Sequence, residues 1–182
     1  MQAKTLSLSA VMFSLCACVS AQTSETPKAK ACPADVEAIF TSIVGEWTLS
    51  IEADEGWTGY GSSRISWDAD QKCGVVEQSR SVFNQESEDP AQNQSTTYLV
   101  YDELTETIKV LTSDTRGYVH IGIAAVDTPL NFEVLKPASE TPTRRIQYRN
   151  IEPGAFEWSW QGRSAVPEMW KDRLVINYDK VL

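Results

Sequence analysis

From Gly45 the chain alternates strictly, with Trp47, Leu49, Ile51 and Ala53 on one side and Glu46, Thr48, Ser50, Glu52 and Asp54 on the other. A period of two sends successive side chains to opposite faces of a strand, so this segment is half buried with an apolar inner face. Strand-like segments follow at Trp57–Trp67, Cys73–Phe83, Thr96–Tyr101, Thr107–Leu111, Gly117–Ala125, Leu130–Leu135, Arg144–Ile151, Phe156–Gln161 and Arg173–Val181, most of them with the same alternation. Short connections make sequence neighbours pair as an up-and-down meander, and a flat sheet of ten strands would leave two long unpaired edges. The expected fold is therefore all-β: one closed antiparallel barrel of about ten strands. One short helix precedes it, because Val36, Ile39, Phe40 and Ile43 fall at i, i+3, i+4 and i+7.

Turn chemistry punctuates the strands. Gly59 and Gly61 sit at positions expected to face inward, as where a strand bends sharply or another backbone comes close. Asp68–Lys72 reads as a turn, and Asp102–Glu106 as the tip of a hairpin. Asn84–Gln94, polar and containing Pro90, reads as a loop that either forms a mobile rim or passively connects two strands.

The first residues read as an export signal at 1–21. Lys4 supplies a positive start, Leu6–Val19 is apolar and small, and Val19, Ser20 and Ala21 form a small-x-small cleavage site. A second route also fits, since Leu15, Cys16, Ala17 and Cys18 resemble a bacterial lipobox with Cys18 as the acylated residue. Residues 22–33 form a polar leader expected to be disordered, and 34–182 the barrel domain. Export leaves Cys32 and Cys73, an even pair in an oxidising compartment, and a disulfide between them is expected. It would pin the helix across the base of the barrel and constrain the unfolded chain by roughly 3 to 4 kcal/mol.

Removing Lys4 with the signal takes the 16 Lys and Arg to 15 against 25 Asp and Glu, a net charge of −10. Such a field is a poor partner for nucleic acid or an anionic membrane, and the mature chain contains no spanning segment.

The order of short motifs carries a resemblance. The helix is followed by Gly45-x-Trp47, Gly59-Tyr60-Gly61-Ser62, Trp67-Asp68, Cys73-Gly74-Val75-Val76-Glu77, Ser95–Asp102 with its Tyr98-x-x-Tyr101-Asp102, Asp114–Gly117, Arg144-Arg145 and Trp170–Tyr178. Over nearly the whole mature chain this resembles a family of secreted bacterial lipocalin-like proteins of unknown function within the calycin group. The resemblance implies a ten-stranded calycin barrel in the periplasm or outside the cell, and no established reaction. A haem-binding calycin group also opens with Gly-x-Trp, but its axial histidine lies near the C-terminus, whereas the one histidine here is His120 in a middle strand.

Chemistry is otherwise sparse. A single histidine excludes a multi-His metal site, no carboxylates have metal spacing, and Gly-x-Ser-x-Gly is absent, so no cofactor is expected. Aromatic residues are the stronger site signal: Trp57 and Trp67 share one strand face, Phe156, Trp158 and Trp160 another, and Ile146 and Tyr148 a third. Arg144 shares the face of Ile146 and Tyr148, and Arg80 that of Val76 and Val82. An arginine among inward apolar neighbours must find a partner. Glu77, Gln78 or the Trp47 ring would serve structurally, and the carboxylate head group of a ligand would serve functionally.

The expected function is binding of a small hydrophobic or amphipathic molecule inside the barrel, with Trp57, Trp67, Arg80, Tyr98, His120, Arg144, Tyr148 and Trp158 as lining residues. The competing readings are an envelope scaffold whose barrel is filled by its own side chains, and a cofactor-free isomerase or hydratase using His120 with Tyr98 or Tyr118.

Overall fold

The alternation that begins at Gly45 ends in a closed sheet. The computed structural model describes residues 32–69, 73–84, 89–125, 130–134, 144–163 and 170–182, so residues 1–21, read as an export signal with Cys18, and most of 22–33 lie outside the described residues. Helix α1 (Ala34–Ile43) leads into β1 (Gly45–Ala53), a single 3-10 turn (Asp54–Gly56) and β2 (Thr58–Trp67). Then follow β3 (Gly74–Asn84), β4 (Ala91–Asp102), β5 (Thr107–Asp114), β6 (Val119–Ala125), β7 (Asn131–Val134), β8 (Arg144–Glu152), β9 (Ala155–Arg163) and β10 (Trp170–Lys180). Each strand pairs antiparallel with its sequence neighbours, and β1 pairs with β10 to close the barrel. Among the described residues, the expected ten-stranded up-and-down barrel with one helix is the observed architecture.

The helix plugs one end. Asp35 and Glu37 occupy its first turn, where carboxylates favour the positive end of the helix dipole. Val36, Phe40 and Ile43 on its inner stripe are fully buried. Trp47 locks the helix to the barrel: its indole N–H donates to the Ile43 carbonyl at 3.0 Å, and its ring meets Phe156 edge-on at 4.8 Å. Leu49, Ile65, Val75, Leu99, Ile108, Phe132 and Ile146 complete this basal core. A Cys32–Cys73 disulfide, with Cα atoms 5.0 Å apart, ties the start of the helix to the start of β3 at the same end, as expected.

Gly61 is required by close backbone approach. A Cβ there would lie 2.2 Å from the Arg80 carbonyl oxygen on the paired strand, a distance no rotamer change relieves. Gly61→Ala is expected to cost about 1–3 kcal/mol. Gly162→Ala, whose Cβ would meet only the flexible Arg173 side chain at 3.4 Å, should stay within about 0.5 kcal/mol. Urea denaturation of the two variants checks the contrast, and equal midpoints would remove the argument.

Two readings are corrected. Residues expected in the 84–94 loop belong to strands: Ala91, Gln92, Asn93 and Gln94 pair with Phe83, Val82, Ser81 and Arg80, leaving only the connection around Pro90, of which 85–88 lie outside the described residues. Their polarity concealed the strand because its inner face borders a cavity rather than the core. The facing of β3 is also reversed. Val75, Glu77, Ser79, Ser81 and Phe83 register with the inward residues of β2, so Val76, Arg80 and Val82 point outward. The outer surface of β3–β6 carries an apolar row, Val76, Tyr98, Leu111 and Ile121, directly paired across four strands. With apolar residues outside and polar ones inside, parity reasoning assigns the wrong face.

Candidate functional site

Above the basal core the barrel is not filled. A cavity of about 330 Å³ lies between two unlike walls and reaches the end opposite the helix. One wall is hydroxyl-rich, because β3, β4 and β5 turn Ser79, Ser81, Asn93, Ser95, Thr97 and Thr112 inward. These groups partly satisfy one another, Ser79 with Ser95 at 2.7 Å and Thr97 with Thr112 at 3.0 Å. The facing wall is apolar: β8, β9 and β10 present Ile146, Trp158, Trp160, Leu174 and Ile176.

Glu77 forms the floor. Its side chain is buried, and Oε1 accepts hydrogen bonds from the Ser63 hydroxyl at 2.7 Å and the Tyr178 hydroxyl at 2.8 Å. Burial pushes its carboxyl above the usual range, and the two donors only partly oppose this. Tyr178 stacks on Phe156 at 4.1 Å, which in turn stacks on Tyr148 at 5.9 Å. The Tyr148 hydroxyl is buried without a hydrogen-bond partner among the described residues, and burial pushes its pKa well above the usual range.

Cationic and aromatic groups frame the mouth. The Arg144 guanidinium lies 5.0 Å from the Trp160 ring centre, and the His120 ring meets Trp160 edge-on at 4.4 Å. Among the described residues no carboxylate lies within ion-pair distance of Arg144. Asp114 organises the β5–β6 turn: its carboxylate accepts from the backbone N–H groups of Arg116 and Tyr118, both at 3.0 Å, and pairs with the Arg116 guanidinium at 3.0 Å. Arg116 is thereby held near Phe83 and Tyr118, at 5.7 and 5.3 Å from their rings. Burial, then the charge of Arg144, lowers the His120 pKa, while Asp114 opposes; the imidazole is neutral near pH 7.

Of the residues expected to line the interior, the structure brings His120, Arg144 and Trp158 together. Tyr148 faces inward but belongs to the packed core. Trp57 is half-buried beside the 3-10 turn, and Trp67 packs edge-on against Phe40 of the helix at 6.0 Å, so neither borders the cavity. Tyr98 and Arg80 stand on the outer surface, because even-numbered residues of β3 and β4 face outward. Arg80 there borders a separate depression of about 710 Å³ that is open to solvent. Arg144 pairs with neither Glu77 nor Gln78, which faces outward, and it lies against Trp160 rather than Trp47. Tyr98 cannot assist His120 from the outer face, whereas Tyr118 lies parallel to it with ring centres 6.3 Å apart.

Sequence reasoning missed Glu77, Tyr178, Arg116 and the hydroxyl wall as lining. The signal available was Trp160, on the same strand face as Trp158. Among the described residues no group of three His, Cys, Asp or Glu could hold a metal ion, and no helix is long and apolar enough to cross a membrane.

No family model matches the chain, and no curated protein matches it. Among solved structures, the chain is similar to a redesigned β-barrel, mFAP0, bound to DFHBI, with 8% identity over 76% of this chain and 99% of that one and a TM-score of 0.45. It is also similar to the S-type phycobiliprotein lyase CPES from Guillardia theta, with 11% identity over 81% of this chain and 93% of that one and a TM-score of 0.48.

Proposed function

We propose that the protein is an exported barrel that binds one small amphipathic molecule in its interior. The cavity of about 330 Å³ carries this reading: it lies at the lower end of the usual size for small-molecule sites and offers an aromatic wall opposite a hydroxyl wall. A flat molecule with an apolar face and a polar edge satisfies both. Arg144, placed at the mouth against Trp160 and without a carboxylate partner among the described residues, favours an anionic group at the outer end. Support for export comes from the Cys32–Cys73 bridge, since reducing compartments keep thiols free. Both routes read from residues 1–21, cleavage after Ala21 and acylation of Cys18, would deliver the chain to an oxidising compartment.

Titration with the anionic fluorophore 1-anilinonaphthalene-8-sulfonate and with neutral N-phenyl-1-naphthylamine tests this. Each is expected to bind one-to-one and quench tryptophan emission. Trp158→Ala should weaken both, whereas Arg144→Met should weaken the sulfonate roughly tenfold, the order expected for one hydrogen bond to a charged group, and spare the neutral probe. No saturable binding of either by the folded protein would overturn the proposal.

A further inference from the structure

The floor of the cavity is chemically different from its mouth. Glu77 projects from β3, and both of its hydrogen bonds fall on one oxygen, Oε1, from Ser63 on β2 and Tyr178 on β10. Among the described residues Oε2 receives no hydrogen bond, and Glu77 borders the cavity. The groups packed around the carboxyl are uncharged: Ser63, Tyr178, Thr97 on the paired position of β4, and Tyr148 on β8. The other charged or titratable side chains of the described residues that reach the cavity, Asp114, Arg116, Tyr118, His120 and Arg144, stand at the mouth.

A buried carboxylate with no cation beside it is costly, and keeping the proton relieves that cost. With a proton on Oε2, Oε1 serves as the carbonyl oxygen that accepts from Ser63 and Tyr178. A neutral acid in that state is a strong hydrogen-bond donor, a role that an ionised carboxylate cannot fill.

We propose that Glu77 donates from Oε2 to an acceptor at the inner end of the ligand, so that the cavity selects planar carbonyl compounds carrying an anionic group at the opposite end. The inner end meets a donor, the flat face lies on Trp158 and Trp160, and the anion reaches Arg144. A ligand ending in an ammonium group finds no carboxylate at the floor. This inference rests on the reading of the interior as a binding site.

Three naphthoates of one shape test it by calorimetry: 6-acetyl-2-naphthoate, 6-isopropyl-2-naphthoate, which lacks the carbonyl, and 6-(1-aminoethyl)-2-naphthoate, which replaces it with an ammonium. At pH 6 the wild-type protein is expected to bind the ketone at least tenfold more tightly than either analogue. Glu77→Gln should keep that preference, because the amide N–H₂ donates where the acid O–H did, and Glu77→Leu should bind ketone and isopropyl compound equally. As pH rises through the raised pKa of Glu77, the acid loses its proton and the donor with it, so the wild-type preference should decline with increasing pH while that of Glu77→Gln stays flat. His120 and the arginines act alike on the shared carboxylate and cancel in the ratio. If Glu77→Leu does not fold, the wild-type and Glu77→Gln profiles decide. Equal binding of ketone and isopropyl compound, or preference for the ammonium, overturns the floor-donor inference and leaves the interior site standing. Binding of none of the three overturns both.

Discussion

Trp47→Ala is expected to destabilise the protein by about 3–5 kcal/mol, the range for deleting a fully buried large aromatic side chain. Trp47 is 1% exposed and joins three parts of the structure. Its N–H holds the last turn of α1, its ring meets Phe156 and Tyr178 at 4.8 and 6.4 Å, and the Lys180 ammonium lies 5.7 Å from the ring centre. Trp47→Phe separates the contributions. It keeps most of the ring volume but leaves the Ile43 carbonyl without its donor, so it should lose about 1–3 kcal/mol. Urea denaturation with unchanged slopes checks both. Because Tyr178 is also a donor to Glu77, Trp47→Ala should in addition blunt the preference for a carbonyl in the probe. A loss below about 1 kcal/mol in the alanine variant would contradict its place at the centre of the basal core.

Removing the Cys32–Cys73 bridge is expected to cost roughly 3 to 4 kcal/mol, the loop-entropy value for a sequence separation of 41. Cys73 is 8% exposed and packs in the basal core, so a Cys32→Ser, Cys73→Ser protein should lose slightly more than a reduced wild type, which retains its apolar thiols. Denaturation midpoints with and without reductant measure the effect: the wild type should shift and the double variant should not. The bridge lies at the helix end and the cavity at the other, so probe binding by the reduced protein should persist while it remains folded. A reductant-insensitive wild-type midpoint would show that the bridge does not form or does not stabilise.

Legibility in the sequence follows what fills the interior. Where strands face the basal core, alternation is apolar-in and polar-out, and Trp47, Leu49 and Ile51, then Ile146 and Tyr148, are assigned to the correct face. The helix is equally legible, because Val36, Phe40 and Ile43 bury one stripe. Trp158 and Arg144 reach the cavity wall through the same regularity on β8 and β9. The reasoning fails on β3 and β4. There Glu77, Ser79, Ser81, Asn93 and Ser95 face inward while Val76, Val82 and Tyr98 face out, which misplaces Arg80 and Tyr98 and hides the first residues of β4.

By itself the sequence determined the strand count, the antiparallel meander, the basal helix and the pairing of Cys32 with Cys73. All four depend on local periodicity, connection length and cysteine number, which are properties of the linear chain. Tertiary structure alone decided which face of β3 and β4 is inside, and so what the cavity is made of. Strand register across a closed barrel is a cooperative quantity: each pairing is set by its neighbours around the ring, and a cavity relieves its lining of the need to be apolar. Glu77 shows the consequence. In the sequence it is one acid among 25, and only the register that sets it between Ser63 and Tyr178, with no cation of the described residues paired to it, makes it the floor of a site.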